Sequence, residues 1–478
     1  MRATLRELVG SSAALKRVGA SWWAINVAEW AYVTALSIHG YRTYGPLAVG
    51  LIGARFAPGA LFGSALAANV IRRRPTLTLR MLAVGRAALV TAVGLAVLIG
   101  APLGIIVGFV WIDAIVAAPY RPVQSSILPA LAGTPKELST VAGNVPVSKA
   151  LGQATGALAG SLPLFVTSPD VIVGVAAVTF LLSSIIVAPI HPDASTPVLA
   201  AQSADLAADR RGRWGMIGTG FSLIVQRARP LLILGGARSL TRGLWTALTV
   251  YASIRLLGLG NAGVGTLMAA AGIGAAVAMP IALQFAGRAR LAGPAALTFA
   301  LAGLPIVLVA LLTSPVPAVL LVAIWGAAFA LADSISNALI HRVVEFRLLA
   351  PSVAAIESAK LLVEGLGALA APALLALVGV RDALIVAGAP LPLLVALSRP
   401  GLLAVDRRAE ARVRPLAVLR ATPSFRGLTM LSLESVAARL THTTAAAGVA
   451  ILHQGDLGDS FYLIDTGRVE VSVDGYRV

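Results

Sequence analysis

The sequence predicts an all-α membrane protein made of two six-helix halves, followed by a short tail of a different kind. Apolar residues make up 58% of the 478 residues and charged residues only 12%, and the mean hydropathy is +0.86. Soluble domains are about 45–50% apolar and about 25% charged. A chain this apolar cannot cover itself with polar surface in water, and its long apolar runs, separated by clusters of charge, point to lipid as its solvent.

Six apolar runs in the first half are long enough to cross a membrane, which takes about 20 residues of helix. They are Gly19–Ile38, Pro46–Val70, Leu79–Gly100, Pro102–Ser126, Leu138–Val166 and Asp170–Ile190. The chain contains 47 glycines, and aromatic residues make up only 5%. Because small residues let membrane helices approach closely, this composition favours a tightly packed helical bundle.

A polar stretch, His191–Arg229, separates these runs from six more. The second set is Pro230–Leu257, Asn261–Ala286, Leu291–Leu312, Val316–Ile340, Pro351–Val378 and Ala383–Leu397. The predicted domains are therefore residues 1–190, a central loop 191–229, a second half 230–398, a linker 399–413 and a tail domain 414–478.

Basic residues lie mainly in alternate loops. One set of loops carries Arg2, Arg6, Lys16, Arg17, Arg72, Arg73, Arg74, Lys136, Arg210, Arg211, Arg213, Arg227, Arg229, Arg288, Arg290, Arg342 and Arg347. The other set carries Arg42, Arg255 and Arg381. Since short cytoplasmic loops are rich in Lys and Arg, we expect a multi-pass protein of the inner membrane with both termini and the central loop in the cytoplasm. Residues 1–17 are polar and basic, so no cleavable signal peptide is expected.

The two halves also look like repeats, a feature of proteins that place a binding site between two bundles. A basic loop follows the second span of each half, and the fifth spans match loosely at 144–152 (NVPVSKALG) and 357–365 (ESAKLLVEG). Together with the segments 119–131 (PYRPVQSSILPAL), 134–138 (TPKEL) and 29–32 (EWAY), this pattern resembles the major facilitator superfamily, in particular its efflux branch. The resemblance covers residues 1 to about 400.

That resemblance implies a twelve-helix secondary transporter of small molecules whose first, fourth, seventh and tenth helices line a central cavity. The family's loop after the second helix normally makes a gating contact and reads Gly-x-x-x-Asp-Arg-x-Gly-Arg. Here Gly63 is followed by Asn69 and the basic run Arg72, Arg73 and Arg74, without the Asp or the second Gly. These three arginines are the candidate gating residues.

The tail has a different pattern. Apolar residues alternate and Gly-Asp turns recur from Val449 onward, which is typical of β-strands, and 415–420 and 424–440 read as short amphipathic helices. The run 454–464 (QGDLGDSFYLI) resembles the start of a cyclic-nucleotide-binding domain, a β-roll preceded by helices. That family's phosphate cassette would lie beyond Val478, so a cyclic nucleotide is expected as a partner only of a longer form of the chain.

Ionisable residues inside the predicted spans are the candidate functional residues, because burying charge in a bilayer costs a few kcal/mol. They are Glu29, Asp113, Arg121, Lys149, Arg238, Arg242, Asp333, Lys360 and Glu364. The resemblance favours Glu29, Asp113, Arg238 and Asp333 as groups of the cavity. Structural alternatives remain: Arg121 and Arg242 could lie near span ends and reach the membrane surface. Lys360 and Glu364 could form an ion pair along one helix face.

No motif indicates an enzyme, a metal or a cofactor. The chain has no cysteine, it lacks a Gly-x-x-x-x-Gly-Lys-Ser/Thr phosphate loop, and its five histidines are scattered without metal-ligand spacing. The net charge of +17 is divided among loops and forms no continuous stripe, so we expect no nucleic-acid partner.

Two functions remain open from the sequence. The first is an ion-coupled, in particular proton-coupled, transporter that exports small molecules. The second is a non-transporting membrane anchor for a cyclic-nucleotide sensor. Carboxylates within the spans of both halves favour the first, because a sensor needs no titratable groups at that depth.

Overall fold

The computed structural model is mostly helical and contains one small β-hairpin near its C-terminal end. It describes residues 13–62, 75–131, 135–165, 167–190, 213–285, 288, 290–312, 314–344, 346–425, 433, 436–437, 440–441, 443–455, 461–474 and 476–477. The candidate gating residues Arg72, Arg73 and Arg74 lie outside this part of the chain, as does most of the helix expected at 424–440.

The first half consists of helices that follow the apolar runs. They are α1 (Ala13–Tyr44), α2 (Pro46–Gly53), α3 (Pro75–Leu98), α4 (Leu103–Ala117), α5 (Tyr120–Leu131), α6 (Pro135–Ser161) and α7 (Pro169–Val187). Helical residues continue beyond α2 to Phe62. Gly45 takes a φ of 77° between α1 and α2, a backbone conformation that suits glycine.

The second half is built in the same way. It comprises α8 (Arg213–Tyr251), a π-helical turn (Ala252–Leu256), α9 (Gly260–Phe285), α10 (Ala292–Leu301), α11 (Leu304–Leu312), α12 (Pro315–Val343), α13 (Phe346–Gly388) and α14 (Pro390–Ala421). Two of these helices are interrupted. Helix α8 has a non-helical residue, Ala228, ahead of Pro230, and α13 breaks at Gly379, where φ is 78°.

Seven helices in the described residues are long and apolar enough to cross a membrane by length and composition. A multi-pass helical membrane protein is therefore confirmed, while the count of twelve stays a prediction. The break at Gly379 falls between the two last predicted spans, Pro351–Val378 and Ala383–Leu397. Two predicted connections are partly helical: α8 begins at Arg213 within the central loop, and α14 runs through the whole of the predicted linker.

Small residues bring α6 against α1. Gly152, Gly156 and Gly160 occupy every fourth position of α6, so they share one face of the helix. A Cβ at Gly152 would lie 2.6 Å from the Cβ of Asn26. At Gly156 and Gly160 it would collide with the carbonyl oxygens of Val27 and Ala31. This spacing is the small-xxx-small pattern of membrane helix pairs, and the two backbones are nearly in contact.

The two halves meet through two further glycine-rich contacts. Helix α6 packs on α9, where a Cβ at Gly265 would lie 2.5 Å from the carbonyl oxygen of Ala157. Helix α2 packs on α13, where a Cβ at Gly50 would lie 2.9 Å from the carbonyl oxygen of Ala368. Both contacts lie toward the end of the bundle that holds the Gly45 turn, which we call the Gly45 end.

The opposite end is braced by α14. The Asp406 carboxylate on α14 accepts hydrogen bonds from the backbone N–H groups of Leu291 (2.9 Å) and Ala292 (3.2 Å). These are donors at the start of α10, which its own residues leave uncapped. Gly401 of α14 contacts Pro230 in the kink of α8. The segment after the last predicted span is therefore packed against the bundle.

The tail shows little of the expected β-roll. Ser472–Val473 pairs antiparallel with Tyr476–Arg477, and these are the strands present in the described residues. The strand expected at Val449–Leu452 is not formed, although its residues are described. Val449, Phe461 and Tyr476 have exposed side chains. A β-roll buries such residues against a second layer of strands, and the described tail residues do not provide one.

Candidate functional site

Four charged side chains form an ion-pair network in the first half. Arg55, after α2, donates to Glu29 of α1 at 2.8 Å. Arg86 of α3 donates to Asp113 of α4 through Nε at 2.8 Å and Nη2 at 3.1 Å, and to Glu29 at 3.2 Å. Arg86 thus binds one carboxylate with two donors and a second carboxylate with one. The network fixes α1, α3 and α4 relative to one another.

The two carboxylates of this network differ in their access to solvent. The side chains of Arg86 and Asp113 are 1% and 0% exposed, and the Tyr32 hydroxyl donates to Asp113 at 2.5 Å. The ring of Phe180 lies 4.4 Å from the Arg86 guanidinium. Glu29, by contrast, is 19% exposed. Asp113 is therefore enclosed within the first half, and Glu29 is the carboxylate of this network that faces accessible space.

The second half carries a corresponding network. Arg238 of α8 donates to Asp333 of α12 at 2.7 Å, and Lys360 of α13 donates to the same carboxylate at 3.0 Å. Lys360 also contacts Glu357 at 2.8 Å. Asp333 is 39% exposed although its partners Arg238 and Lys360 are only 3% and 12% exposed. An accessible carboxylate between two buried cations lies at the wall of an internal space.

A second pair lies one helical turn further along α8. Arg242 places Nε 3.1 Å from Glu364 of α13, and Glu364 is 6% exposed. The alignment of this contact is too poor for a hydrogen bond. The Oε1 atom of Glu364 is therefore buried without a hydrogen-bond donor. The ring of Phe329 lies 3.9 Å from the Arg238 guanidinium and 4.9 Å from that of Arg242. Both arginines make cation–π contacts, which partly shield their charge from water.

Two cations link the networks of the two halves. Lys149 on α6 interacts electrostatically with Glu29 and Arg121 of the first half and with Arg242 and Glu364 of the second. Arg121 on α5 acts on Asp333. The charges of both halves therefore face one another. We call this set the central charge cluster, and it consists of Glu29, Arg55, Arg86, Asp113, Arg121, Lys149, Arg238, Arg242, Asp333, Glu357, Lys360 and Glu364.

All nine ionisable residues singled out in the predicted spans lie in this cluster. The alternative pairing of Lys360 with Glu364 along one helix is wrong, because each has partners elsewhere. Arg242 lies in the interior instead of reaching the membrane surface. Sequence reasoning missed Arg55 and Arg86, although both fall within predicted spans and a charge count of those spans would have found them. Their role as partners of Glu29 and Asp113 depends on contacts between helices.

In the described part of the chain, no group of three His, Asp or Glu side chains is placed to hold a metal ion. Each carboxylate of the central charge cluster has a basic neighbour. What the cluster offers chemically is a set of exchangeable ion pairs, some of them accessible, between two helical bundles.

These features define a class, a multi-pass helical membrane protein with charged side chains in its interior. No family model and no curated protein sequence matches the chain. Solved structures do match. The structure of the nucleoside transporter NupG aligns with a TM-score of 0.63 at 12% identity, covering 82% of this chain and 99% of that one.

Two further transporters match over similar lengths. A POT family transporter in complex with a thioalcohol-conjugated peptide aligns with a TM-score of 0.62 at 12% identity, covering 81% of this chain and 96% of that one. A bacterial homologue of the human lysosomal transporter Spinster, in an inward-facing and occupied conformation, aligns with a TM-score of 0.57 at 14% identity, covering 84% and 96%. At these identities the likeness concerns the fold alone.

Proposed function

We propose that this protein is an ion-coupled, in particular proton-coupled, secondary transporter that exports small molecules. The observation that carries the proposal is the central charge cluster. Carboxylates from both halves lie in ion pairs at the boundary between the bundles, and Lys149 and Arg121 link the two sides. Charge buried in a membrane protein is costly and is retained mainly for function. The matched transporter folds support this function, and none of these observations favours the sensor.

The cluster suggests how transport proceeds. The contacts between halves at the Gly45 end close one side of the bundle. Alternating access then requires α6 to separate from α9 and α2 from α13, as one half rocks against the other around the central site. That movement changes the distance from Lys149 to Glu364 of the other half, whereas Lys149 and Glu29 belong to the same half and move together. Protonation of a carboxylate weakens its ion pairs, so it shifts the balance between the two states.

Glu29 is the first candidate for the coupling proton and Asp113 the second, with Asp333 next. Glu29 is both paired and accessible, at 19% exposure. Asp113 is enclosed, so solvent could reach its carboxylate only if Arg86 and Tyr32 moved. Asp333 is more exposed, but it is held by two cations. Arg238, Arg121 and Glu364 are proposed as partners whose pairing changes during the cycle.

We further propose that the protein lies in the inner membrane with both termini in the cytoplasm, following the distribution of basic loops. In that orientation the Gly45 end, where the halves are in contact, faces outward. Labelling a single cysteine at Arg211 tests the orientation cleanly, because the chain has no native cysteine. An impermeant thiol reagent should reach this position in inside-out vesicles but not in intact cells.

Flux measurements test the function. Inside-out vesicles carrying the full chain should accumulate members of a compound panel when the lumen is acidic, and dissipating the pH gradient should abolish accumulation. The double variant Glu29→Gln/Asp333→Asn, expressed at the same level, is the control for background uptake. Equal accumulation with and without a gradient would argue against proton coupling, and equal uptake in control and wild-type vesicles would argue against transport.

A further inference from the structure

Lys149 has an unusual position in the central charge cluster. It lies on α6, the helix that packs against α1 in its own half and α9 in the other. Two carboxylates, Glu29 of the first half and Glu364 of the second, attract its ammonium, and two guanidiniums, Arg121 and Arg242, repel it. Within the described residues, Lys149 forms no ion pair.

The carboxylates near Lys149 are already engaged. Glu29 pairs with Arg55 and Arg86, and Glu364 lies against Arg242. Among the described residues, Lys149 is therefore left without a carboxylate of its own, and a lone cation at this depth is costly unless an anion balances it.

We propose that Lys149 binds the anionic group of the transported molecule, so that the substrates are small organic anions carrying a carboxylate or a phosphate. This inference rests on the proposed transport function and assigns its substrate class. An ammonium on a flexible stem is a compact charge that accepts either anion without requiring a planar, two-donor geometry. Arg121 and Arg242, whose charges act on Lys149, add to the positive potential at this site.

Binding and flux are measured separately to test this proposal. The purified full chain is unfolded thermally at pH 7 with benzoate or phenyl phosphate, each beside its uncharged counterpart, benzamide or phenol. The anions should raise the melting temperature and the uncharged counterparts should not. Lys149→Gln should weaken anion affinity at least tenfold, and Lys149→Arg, which keeps the charge, should restore most of it.

The unliganded variants show whether Lys149 is instead structural. Lys149→Gln should unfold at the same temperature as the wild type or above it, because the substitution removes an unpaired charge. Lys360→Gln removes one of the two cations bound to Asp333 and the ion-pair partner of Glu357, so this variant should unfold at a lower temperature. If Lys149→Gln lowered the unliganded melting temperature as much as Lys360→Gln, Lys149 would be structural and the proposal would fail.

Each further outcome decides one question. The proposal is overturned if no anion binds, if the uncharged counterparts bind as tightly, or if Lys149→Gln binds anions like the wild type. Anion binding without flux driven by a pH gradient in proteoliposomes would leave the anion site standing and contradict proton-coupled transport. Flux that prefers the uncharged compounds would leave transport standing and overturn the anion site.

Discussion

Glu29 and Asp113 share one arginine but have different surroundings. Arg86 donates to both, while Asp113 is fully enclosed and Glu29 is 19% exposed. A carboxylate with access to the space between the halves can exchange a proton or contact a substrate. An enclosed carboxylate mainly holds its cation in place. At the scale of single residues, accessibility separates the two roles.

We therefore expect Asp113→Asn to destabilise the protein more than Glu29→Gln does. Removing the Asp113 charge leaves Arg86 buried with one weaker partner, and breaking a buried ion pair typically costs about 3–5 kcal/mol. Glu29→Gln leaves the Arg86–Asp113 pair intact, and the amide oxygen of glutamine can still accept a hydrogen bond from Arg55 at this partly exposed position. Its cost should therefore be about 1–2 kcal/mol. Thermal unfolding of both purified variants in the same detergent measures the difference.

The Glu29→Gln variant should also have a specific defect in transport. Glu29→Gln should bind substrate nearly as well as the wild type but lose accumulation driven by a pH gradient, because glutamine cannot carry a proton. Binding in detergent and flux in proteoliposomes separate the two effects. Unchanged flux in Glu29→Gln would move the coupling role to Asp113 or Asp333.

Residue types were predictable from the sequence and their partners were not. A carboxylate inside an apolar run is visible in the sequence, and Glu29, Asp113 and Asp333 could be named on that basis alone. The partner of Asp113 is Arg86, 27 positions away on another helix. That pairing depends on how α3 packs against α4, and helix packing leaves no local trace in the sequence.

At the scale of elements, the start of α10 shows how a helix end is satisfied by a distant segment. Helix α10 has no acidic residue in its first turn and no cap from its own side chains. Asp406, 115 positions from Leu291, accepts the free N–H groups. Because an anion at a helix N-terminus also interacts favourably with the helix dipole, this contact attaches α14 to the second half.

Asp406→Ala should therefore lower stability by about 1–2 kcal/mol, the usual cost of losing a helix cap. Asp406→Asn should cost less, since its amide oxygen can still accept one hydrogen bond. Thermal unfolding should rank the melting temperatures as wild type, then Asp406→Asn, then Asp406→Ala, from highest to lowest. Protease sensitivity of residues 399–421 should rise in the Asp406→Ala variant, and equal sensitivity would contradict the attachment of α14.

Close packing of α6 on α1 gives a second expectation at this scale. Gly160→Ala places a methyl group against the carbonyl oxygen of Ala31, and overpacking of this kind costs about 1–3 kcal/mol. Gly108→Ala is the matched control, because a Cβ at Gly108 of α4 would have no atom within 4 Å. Unfolding temperatures should fall for Gly160→Ala and stay unchanged for Gly108→Ala. Equal values would mean that α6 can move away from α1 at little cost.

The elements themselves were largely predictable where a single physical rule governs them. In lipid, backbone groups must bond within the segment, so a long apolar run becomes a helix regardless of its neighbours. The tail follows no such rule. The alternating pattern at Val449–Leu452 predicted a strand, but a strand needs a partner, and these described residues have none. We expect this chain to bind cyclic AMP or GMP weakly or not at all, and calorimetry on the purified protein checks this directly.

At the scale of the whole molecule, the contacts between the halves determine which side of the bundle is closed. Ile38 of α1, 1% exposed, belongs to a core cluster that also contains Leu244 and Trp325 of the second half. A side chain at position 38 is therefore sealed as long as the halves stay together at the Gly45 end. Rocking of the halves must expose it, because α2 and α13 cannot separate without opening this core.

Labelling of a single cysteine placed at Ile38 measures this exposure, because the chain has no native cysteine that would also react. An impermeant maleimide added to intact cells should label it slowly in the otherwise wild-type chain. Adding Gly50→Leu, whose side chain collides with Ala368 and Pro372 of the second half, should push the halves apart at this end and accelerate labelling several-fold. Gly174→Leu is the control, because a Cβ at Gly174 would meet nothing within 4 Å. Equal labelling with Gly50→Leu and Gly174→Leu would mean that the halves do not part at this contact. Rapid labelling without either substitution would show that the Gly45 end is open at rest.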